Sequence, residues 1–145
     1  MLKGIPPIIS PDLMRVLMEM GHGDELVLGD GNFPAAAYAK PKRLVRCDGH
    51  AMPELLDAIL QLLPLDTFVE YPVALMEVVP GDSTQPTIWE EYRTIIRKHD
   101  NHFSDFEFEA RFAFYERARK AFAVVATSER ALYANIILKK GVVVA

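Results

Sequence analysis

The feature of this sequence that most limits its fold is the alternation between stretches with helical spacing and short apolar runs. Ser10-Pro11 begins the first helix, because a Ser side chain caps free amides and Pro is accepted at the first helical position. Apolar residues follow at helical spacing from Leu13 to Met20, and Gly21 is the predicted end of this helix. The other predicted helices cover residues 53–63, 88–98 and 111–122, and the predicted strands cover residues 25–28, 43–47, 73–79, 106–109, 123–127 and 135–138. This alternation predicts an α/β fold with three α/β/α layers, in which helices cover both faces of a central, mostly parallel sheet.

Length and composition are those of a globular protein and exclude several classes of function. The chain has 145 residues, 50% of them hydrophobic and 25% charged, without an internal repeat or linker, so one domain over residues 1–145 is predicted. A net charge of −4 disfavours nucleic acid as a partner, because no general positive field attracts phosphates. No apolar run approaches the ~18 residues that span a bilayer, and the first residues lack a signal-peptide core. Because the single cysteine, Cys47, cannot form a disulfide within the chain, we expect a cytoplasmic protein.

A histidine between two glycines, in Met20-Gly21-His22-Gly23-Asp24, is the first candidate for chemistry. The glycines leave its ring open to close approach by a ligand. The end of the first helix and the nearby Asp24 both favour a positively charged ring, and histidine is a common general acid–base catalyst. His22 is therefore a candidate proton donor, and the alternative is a polar residue in a loop that ends a helix.

Three further segments carry polar side chains that could bind hydroxyl groups. Asp30 follows His22 after one short strand, and we expect the two to lie near one edge of the sheet, although Asp30 also suits an Asx turn. Arg111 and Tyr115 share one helix face, where they could converge on a ligand or serve only the structure. The core stripe predicted for that helix consists of Phe112, Tyr115, Ala118 and Phe122. Tyr133-Ala134-Asn135 precedes the last strand and could bind hydroxyls or form an ordinary turn.

No motif indicates a metal site, a nucleotide-binding loop or a covalent nucleophile. His99 and His102 lie in a polar loop without a specific third ligand, and Gly29-Asp30-Gly31-Asn32 lacks the other ligands of a calcium loop. No glycine-rich pattern continues into Lys-Ser/Thr, and no serine lies in a nucleophile elbow. We therefore expect neither a metal nor a cofactor.

The order of the motifs along the chain is more specific than any one of them. The motifs are Leu2-Lys3-Gly4-Ile5, Ile9-Ser10-Pro11, Met20-Gly21-His22-Gly23-Asp24-Glu25, Asp30 with Asn32-Phe33-Pro34, Asp48-Gly49, Arg111-Phe112-Ala113-Phe114-Tyr115-Glu116-Arg117-Ala118, Ala123-Val124-Val125-Ala126-Thr127 and Tyr133-Ala134-Asn135-Ile136-Ile137-Leu138. In this order, from Met1 to Gly141, the chain resembles the RbsD/FucU family of D-ribose pyranases and L-fucose mutarotases.

The resemblance implies an isomerase that opens and recloses a monosaccharide ring without a cofactor. It implies that His22 is the proton donor and that Asp30, Arg111, Tyr133, Ala134 and Asn135 bind the sugar. It also implies a homo-oligomer, typically a decameric ring, with sites near subunit contacts. Because the ribose branch tends to carry histidine at the position of Arg111, the fucose branch is favoured. The alternatives are a D-ribose pyranase and a sugar-binding accessory protein without catalysis.

Overall fold

The computed structural model describes residues 1–145, which form five helices and six strands. The helices are α1 (Pro11–Glu19), α2 (Ala35–Tyr38), α3 (Met52–Leu60), α4 (Ile88–His99) and α5 (Arg111–Lys120). The strands are β1 (Glu25–Gly29), β2 (Leu44–Cys47), β3 (Val73–Met76), β4 (Glu107–Glu109), β5 (Ala123–Thr127) and β6 (Ile136–Lys139). None of the helices combines the length and the apolar character needed to cross a membrane.

All six strands form one sheet in the order β2-β5-β1-β6-β3-β4. The pairs β2–β5, β1–β5 and β3–β4 are parallel, and β6 is antiparallel to both of its neighbours, β1 and β3. The prediction of a mostly parallel sheet is confirmed. Because β6 runs against β1, the beginning of β6 lies at the edge of the sheet where β1 ends.

Alternate residues of the central strands face opposite layers of helices, as the two-residue period of a strand requires. Leu26 and Leu28 of β1 belong to a core of 29 buried residues that also contains side chains of α1, α3 and α4. Val27, between them, belongs to a core of 11 buried residues with side chains of α2 and α5. The three-layer α/β/α architecture predicted from the sequence is thus confirmed, with the larger core on the side of α1, α3 and α4.

Local signals located most elements well, and the differences arise where tertiary contacts end an element. The Oγ of Ser10 accepts the Leu13 amide at 3.1 Å, as predicted for the start of α1. The predicted strand over residues 73–79 ends at Met76, because the ladder of β3 with β4 stops there. Helix α3 ends at Leu60 rather than at residue 63, as the chain turns toward Pro64. The four-residue helix α2 was not predicted, since it is too short to show a period.

Two predictions about helices are wrong. Helix α1 ends at Glu19, and the extended backbone of Met20 rather than Gly21 terminates it. Helix α5 buries Phe114 and Ala118, whereas Phe112, assigned to the core stripe, is 73% exposed. The two buried positions are four residues apart on the face toward the sheet, which leaves Phe112 on the opposite side.

Candidate functional site

A buried carboxylate and a buried amide meet at the edge of the sheet where β1 ends and β6 begins. The backbone N–H of Asp30 donates to Oδ1 of Asn135 at 2.7 Å, although the two residues are 105 positions apart. Both residues are buried, with 8% of Asp30 exposed. The carboxyl ends of strands are the usual place for ligands in α/β sheets, so this pair lies where a binding site is expected.

The two residues belong to a pocket of about 220 Å³ that has both polar and apolar lining residues. It is lined by Asp30, Asn32, Phe33, Met76, Asp82, Tyr115, Leu132, Tyr133 and Asn135. Two carboxylates, the amides of Asn32 and Asn135 and two phenols supply acceptors and donors for several hydroxyl groups. Ala134, between Tyr133 and Asn135, is buried and does not line this pocket.

The Asp30 side chain is held in place mainly by backbone amides. Its Oδ1 accepts the Asn32 amide at 2.9 Å, which is the Asx turn considered for this residue. Burial raises the pKa of the Asp30 carboxyl, and bonds from the amides of Asn32, Phe33 and Ala134 lower it without cancelling that effect. The carboxylate is therefore a strong acceptor that has lost much of its water, and ligand hydroxyls could replace that water.

Tyr133 has a strained backbone and a phenol that is already engaged. Its φ of 57° lies in the left-handed region, which non-glycine residues seldom adopt. Its hydroxyl donates to Oδ2 of Asp82 at 2.5 Å, and this bond raises the pKa of Tyr133. The phenol therefore stays protonated near neutral pH, which suits hydrogen bonding to a ligand better than a role as a base.

Two aromatic residues of α4 donate hydrogen bonds to the backbone carbonyls of the Tyr133–Ala134 segment. Trp89 Nε1 donates to the Tyr133 carbonyl at 2.8 Å, and the buried Tyr92 hydroxyl donates to the Ala134 carbonyl at 2.6 Å. Both aromatic residues lie within the helix predicted over residues 88–98, where nothing in the sequence distinguishes them from ordinary core residues. For Asp82, the one sequence signal of a site residue is its position in a turn directly after the strand predicted over residues 73–79.

Arg111 lies at the start of α5, beside the pocket but not in its lining. Its guanidinium carbon is 5.6 Å from the ring centre of Tyr115, which does line the pocket. Its positive charge also acts to lower the pKa of Tyr133. Arg111 therefore lies at the rim, within the electrostatic range of the polar groups in the pocket.

His22 does not join this pocket within one chain, so the prediction that His22 and Asp30 lie near one edge is wrong. The loop with His22 precedes β1 and Asp30 follows it, and an extended strand separates its two ends. The His22 side chain is 45% exposed, and its Nε2 lies 3.0 Å from Oδ1 of Asp66. The exposed ring of Phe68 packs beside it with 5.2 Å between ring centres.

The largest groove of the molecule lies elsewhere, along α1 and the first residues of the chain. It has a volume of about 780 Å³ and a mostly apolar lining. Its polar side chains are Ser10, which caps α1, and the ion pair Arg15–Glu19. Since these groups are already paired with each other or with the helix, the smaller pocket at Asp30 is the better candidate site. No group of three or more His, Cys, Asp or Glu residues could hold a metal ion.

The profile of the RbsD / FucU transport protein family matches residues 3–143, which include the His22 loop and the whole pocket. The chain belongs to the RbsD/FucU family. The resemblance inferred from the order of the motifs is therefore confirmed.

Individual members of the RbsD/FucU family are similar to this chain over almost their whole length. Human fucose mutarotase is 52% identical over 145 residues, which cover 97% of this chain and 94% of the human protein. The L-fucose mutarotase of Actinobacillus pleuropneumoniae serotype 5b (strain L20) is 50% identical over 142 residues, covering 98% and 97% of the two chains. The crystal structure of fucose mutarotase from Streptococcus pneumoniae in complex with L-fucose is 55% identical and superposes with a TM-score of 0.91, covering 99% of this chain and 100% of that one.

Proposed function

We propose that this protein is an L-fucose mutarotase, an isomerase that interconverts the α and β anomers of L-fucose. One observation carries the proposal: a pocket lined by carboxylates, amides and phenols in a chain 55% identical to a fucose mutarotase solved with L-fucose. The apolar lining residues Phe33, Met76 and Leu132 suit the methyl group that L-fucose carries and D-ribose lacks.

The reaction moves protons and breaks one bond without any net change in composition. The anomeric hydroxyl loses its proton, the bond between the anomeric carbon and the ring oxygen breaks, and the ring oxygen gains a proton. The aldehyde rotates, and the hydroxyl formed from the ring oxygen adds to its other face, losing its proton while the aldehyde oxygen gains one. In this proposal His22 takes up the proton of the anomeric hydroxyl and donates a proton to the ring oxygen. Acid–base catalysis of this kind typically accelerates a reaction by ~10²–10⁴-fold.

The remaining site residues bind the sugar. Asp30 accepts hydrogen bonds from hydroxyl groups, while Asn135 and Arg111 donate to sugar oxygens. Tyr133 contributes its phenol beside Asp82, and Ala134 contributes its backbone. This set holds the sugar while its ring is open, so that the ring can close again before the sugar leaves the site.

We further propose that each site combines two copies of the chain in a homo-oligomer, with a decameric ring as the expected form. A proton donor must come within hydrogen-bond reach of the sugar, but β1 alone separates His22 from Asp30 by about 16 Å. Phe68 beside His22 and Leu132 beside Asp30 are exposed apolar side chains that a contact between copies would cover. A contact between two different surfaces of the chain can repeat from copy to copy. The copies form a closed ring when the rotation between successive copies brings the last one back to the first.

The domain and the location of the protein are part of the same proposal. Residues 1–145 act as one mutarotase domain, since one sheet and its two layers of helices include elements from both ends of the chain. A cytoplasmic location agrees with the single, free and buried Cys47.

Exchange rates measured on two sugars test the proposed function. In saturation-transfer NMR, we expect catalytic amounts of the protein to speed exchange between the anomers of L-fucose well above the buffer rate, and more than that of D-ribose. Equal acceleration of both sugars would contradict the preference for L-fucose, and faster exchange of D-ribose would indicate a pyranase. Binding of L-fucose without faster exchange would indicate the non-catalytic accessory protein.

Replacing Asp30 with asparagine tests the cost of its buried charge. We expect Asp30→Asn to raise the free energy of unfolding at pH 7 and to weaken L-fucose binding by about tenfold or more, because bonds to a charged group are lost. The pKa of Asp30 is higher in the folded than in the unfolded chain, so stability falls as the pH rises through the unfolded value toward the folded one, and the loss persists at pH 7. Asparagine cannot ionise, so it avoids this loss of stability, and its side-chain oxygen still accepts the Asn32 amide.

Urea unfolding at pH 7 and calorimetric titration with L-fucose measure the two effects. Asp48→Asn is the matched control, since Asp48 is exposed and Arg46 holds the pKa of its carboxyl below the usual value. The control should bind L-fucose like the parent and gain no stability. An Asp30→Asn variant that binds L-fucose as well as the parent would contradict the role of Asp30 in binding. A variant less stable than the parent at pH 7 would contradict only the cost assigned to the buried charge.

A further inference from the structure

The hydroxyl of Tyr133 hydrogen-bonds to two residues of the turn that follows β3. It donates to Oδ2 of Asp82 at 2.5 Å, and its oxygen accepts the Val79 amide at 3.3 Å. Asp82 itself closes this turn, since its amide donates to the Val79 carbonyl at 3.0 Å. Tyr133 and Asp82 both line the pocket at Asp30. The phenol is thus attached, inside the candidate site, to a part of the chain 51 residues away.

The other oxygen of the Asp82 carboxylate is held by Thr84. Oδ1 accepts the Thr84 amide at 2.9 Å and the Thr84 hydroxyl at 2.6 Å. These bonds, together with the bond from Tyr133, lower the pKa of the Asp82 carboxyl. Asp82 is therefore ionised near neutral pH, and an ionised carboxylate only accepts hydrogen bonds. The hydrogen between Asp82 and Tyr133 must then come from the phenol.

The backbone of Tyr133 is also fixed, so the phenol cannot easily turn away from Asp82. Its φ of 57° lies in the left-handed region, and such a conformation persists where the surrounding contacts determine it. Trp89 Nε1 donates to the Tyr133 carbonyl at 2.8 Å, and the Tyr92 hydroxyl donates to the next carbonyl, that of Ala134, at 2.6 Å. Contacts at both ends of Tyr133 thus determine where its hydroxyl lies.

The charged groups around the phenol do not compete with Asp82 for its hydrogen. Asp82 is the one side chain that hydrogen-bonds to the Tyr133 hydroxyl. This bond raises the pKa of Tyr133 more than the positive charge of Arg111 lowers it. Asp30 lines the same pocket, but its Oδ1 accepts the Asn32 amide. The direction of the hydrogen bond at Tyr133 is therefore set by Asp82.

We propose that Asp82 is a positioning residue that draws the hydrogen of the Tyr133 hydroxyl away from the sugar, so that the phenol oxygen accepts a hydrogen bond from a sugar hydroxyl. A phenol has one hydrogen to donate and lone pairs that accept. Asp82 takes the hydrogen and the Val79 amide takes one lone pair, which leaves one lone pair for the ligand. A sugar atom held there must carry a hydrogen, as a hydroxyl does and the ring oxygen does not.

This inference rests on the proposed function and excludes Tyr133 from its proton transfer. A phenol that gives its hydrogen to Asp82 cannot give the same hydrogen to the ring oxygen, so His22 remains the donor. Tyr133 then binds a hydroxyl group that stays in place during the reaction. The loss of such uniform binding raises KM and leaves kcat unchanged, whereas the loss of a proton donor lowers kcat.

The first test reads the hydrogen bond directly and needs no activity. In ¹³C NMR with labelled tyrosine, Tyr133 is identified among the five tyrosines by comparison with Tyr133→Phe. We expect its phenol to ionise at a lower pH in Asp82→Asn than in the parent, because the carboxylate that disfavours the phenolate is gone. The control Asp48→Asn, at an exposed carboxylate paired with Arg46, should leave this pH unchanged. An unchanged titration of Tyr133 in Asp82→Asn overturns the proposal.

The second test separates binding from proton transfer, with exchange measured by saturation-transfer NMR over a range of L-fucose concentrations. We expect Tyr133→Phe to raise KM about fivefold, the usual effect of losing one hydrogen bond between uncharged groups, and to leave kcat within about twofold of the parent. A fall in kcat instead, toward the ~10²-fold or more that a proton-transferring group contributes, overturns the proposal.

A double-mutant cycle shows whether Asp82 acts through Tyr133. Asp82→Asn should raise KM about as much as Tyr133→Phe does, and it should add nothing in a chain that already carries Tyr133→Phe. If Asp82→Asn raises KM equally in both backgrounds, Asp82 binds the sugar on its own and the positioning role is wrong. The control Asp48→Asn should keep the KM of whichever chain it is introduced into.

The outcomes for the two proposals are distinguishable. If the parent exchanges L-fucose but the titration of Tyr133 does not move in Asp82→Asn, or the cycle is additive, the positioning role is wrong and the mutarotase assignment stands. If the parent does not exchange L-fucose, the proposed function fails. The bond between Tyr133 and Asp82 is still decided by the titration in that case.

Discussion

Replacing His22 with alanine is expected to lower the rate of L-fucose anomer exchange by ~10²–10⁴-fold while the fold stays intact. The large effect follows from the absence of a substitute: the pocket around Asp30 contains carboxylates, amides and phenols but no histidine. Saturation-transfer NMR measures the exchange, and circular dichroism with urea unfolding checks the fold. The half-exposed ring contributes little to the core, so we expect a near-parent unfolding midpoint.

The control for this variant is His102→Ala, which removes another histidine from an exposed loop. Its exchange rate should equal that of the parent. Added imidazole should restore part of the activity of His22→Ala, because it can occupy the space that the side chain leaves and transfer the same proton. If His22→Ala exchanges L-fucose as fast as the parent, His22 is not the proton donor.

Mixing two impaired variants is expected to restore activity if each site takes His22 from one copy and Asp30 from another. In an assembly of His22→Ala and Asp30→Asn chains, a complete site forms where an Asp30→Asn copy supplies the histidine and a His22→Ala copy supplies the carboxylate. Random one-to-one mixing in a ring of head-to-tail contacts makes about a quarter of the sites complete. At L-fucose concentrations well below saturation, we therefore expect roughly a quarter of the parent exchange rate from two chains that each reach about a tenth of it or less.

Co-expression of the two variants with different affinity tags, followed by purification over both tags, isolates the mixed assemblies. The matched control is His22→Ala co-expressed with a second, differently tagged His22→Ala chain, which should stay inactive. Activity of the mixed assemblies that does not exceed the sum of the separate variants would contradict the shared site. That result would require His22 and Asp30 of one chain to approach each other, against the span of β1 between them.

Elements with a strong local signal were predicted closely. The cap at Ser10, the start of α1 and the bounds of β5 follow from residue types that act on their immediate neighbours. The ends of β3 and α3 were misplaced, because pairing partners and turns decide where these elements stop. The α/β class and the three layers were predictable because they depend on the alternation of helical and two-residue periods along the whole chain.

The candidate site was predicted as a set of residues but not as an arrangement. Glycines around His22 and polar residues next to strands identified His22, Asp30 and Asn135, and the order of the motifs identified the family. Asp66 and Asp82 were missed, since their hydrogen bonds to His22 and Tyr133 join residues 44 and 51 positions apart in the chain. A short-range pattern contains no information about such pairs.

The sequence by itself determined the types of the elements, the layered α/β class, the family and most of the polar residues, because each depends on local spacing or on the order of motifs. Only the tertiary structure decided which of these residues meet. Because β6 pairs with β1 in the antiparallel direction, Asn135 at the start of β6 meets Asp30 after the end of β1. The loops of His22 and Asp66 meet at the opposite end of these strands. Strand order and direction result from pairing between distant segments. The free energy of that pairing depends on the whole sheet rather than on any one stretch of sequence.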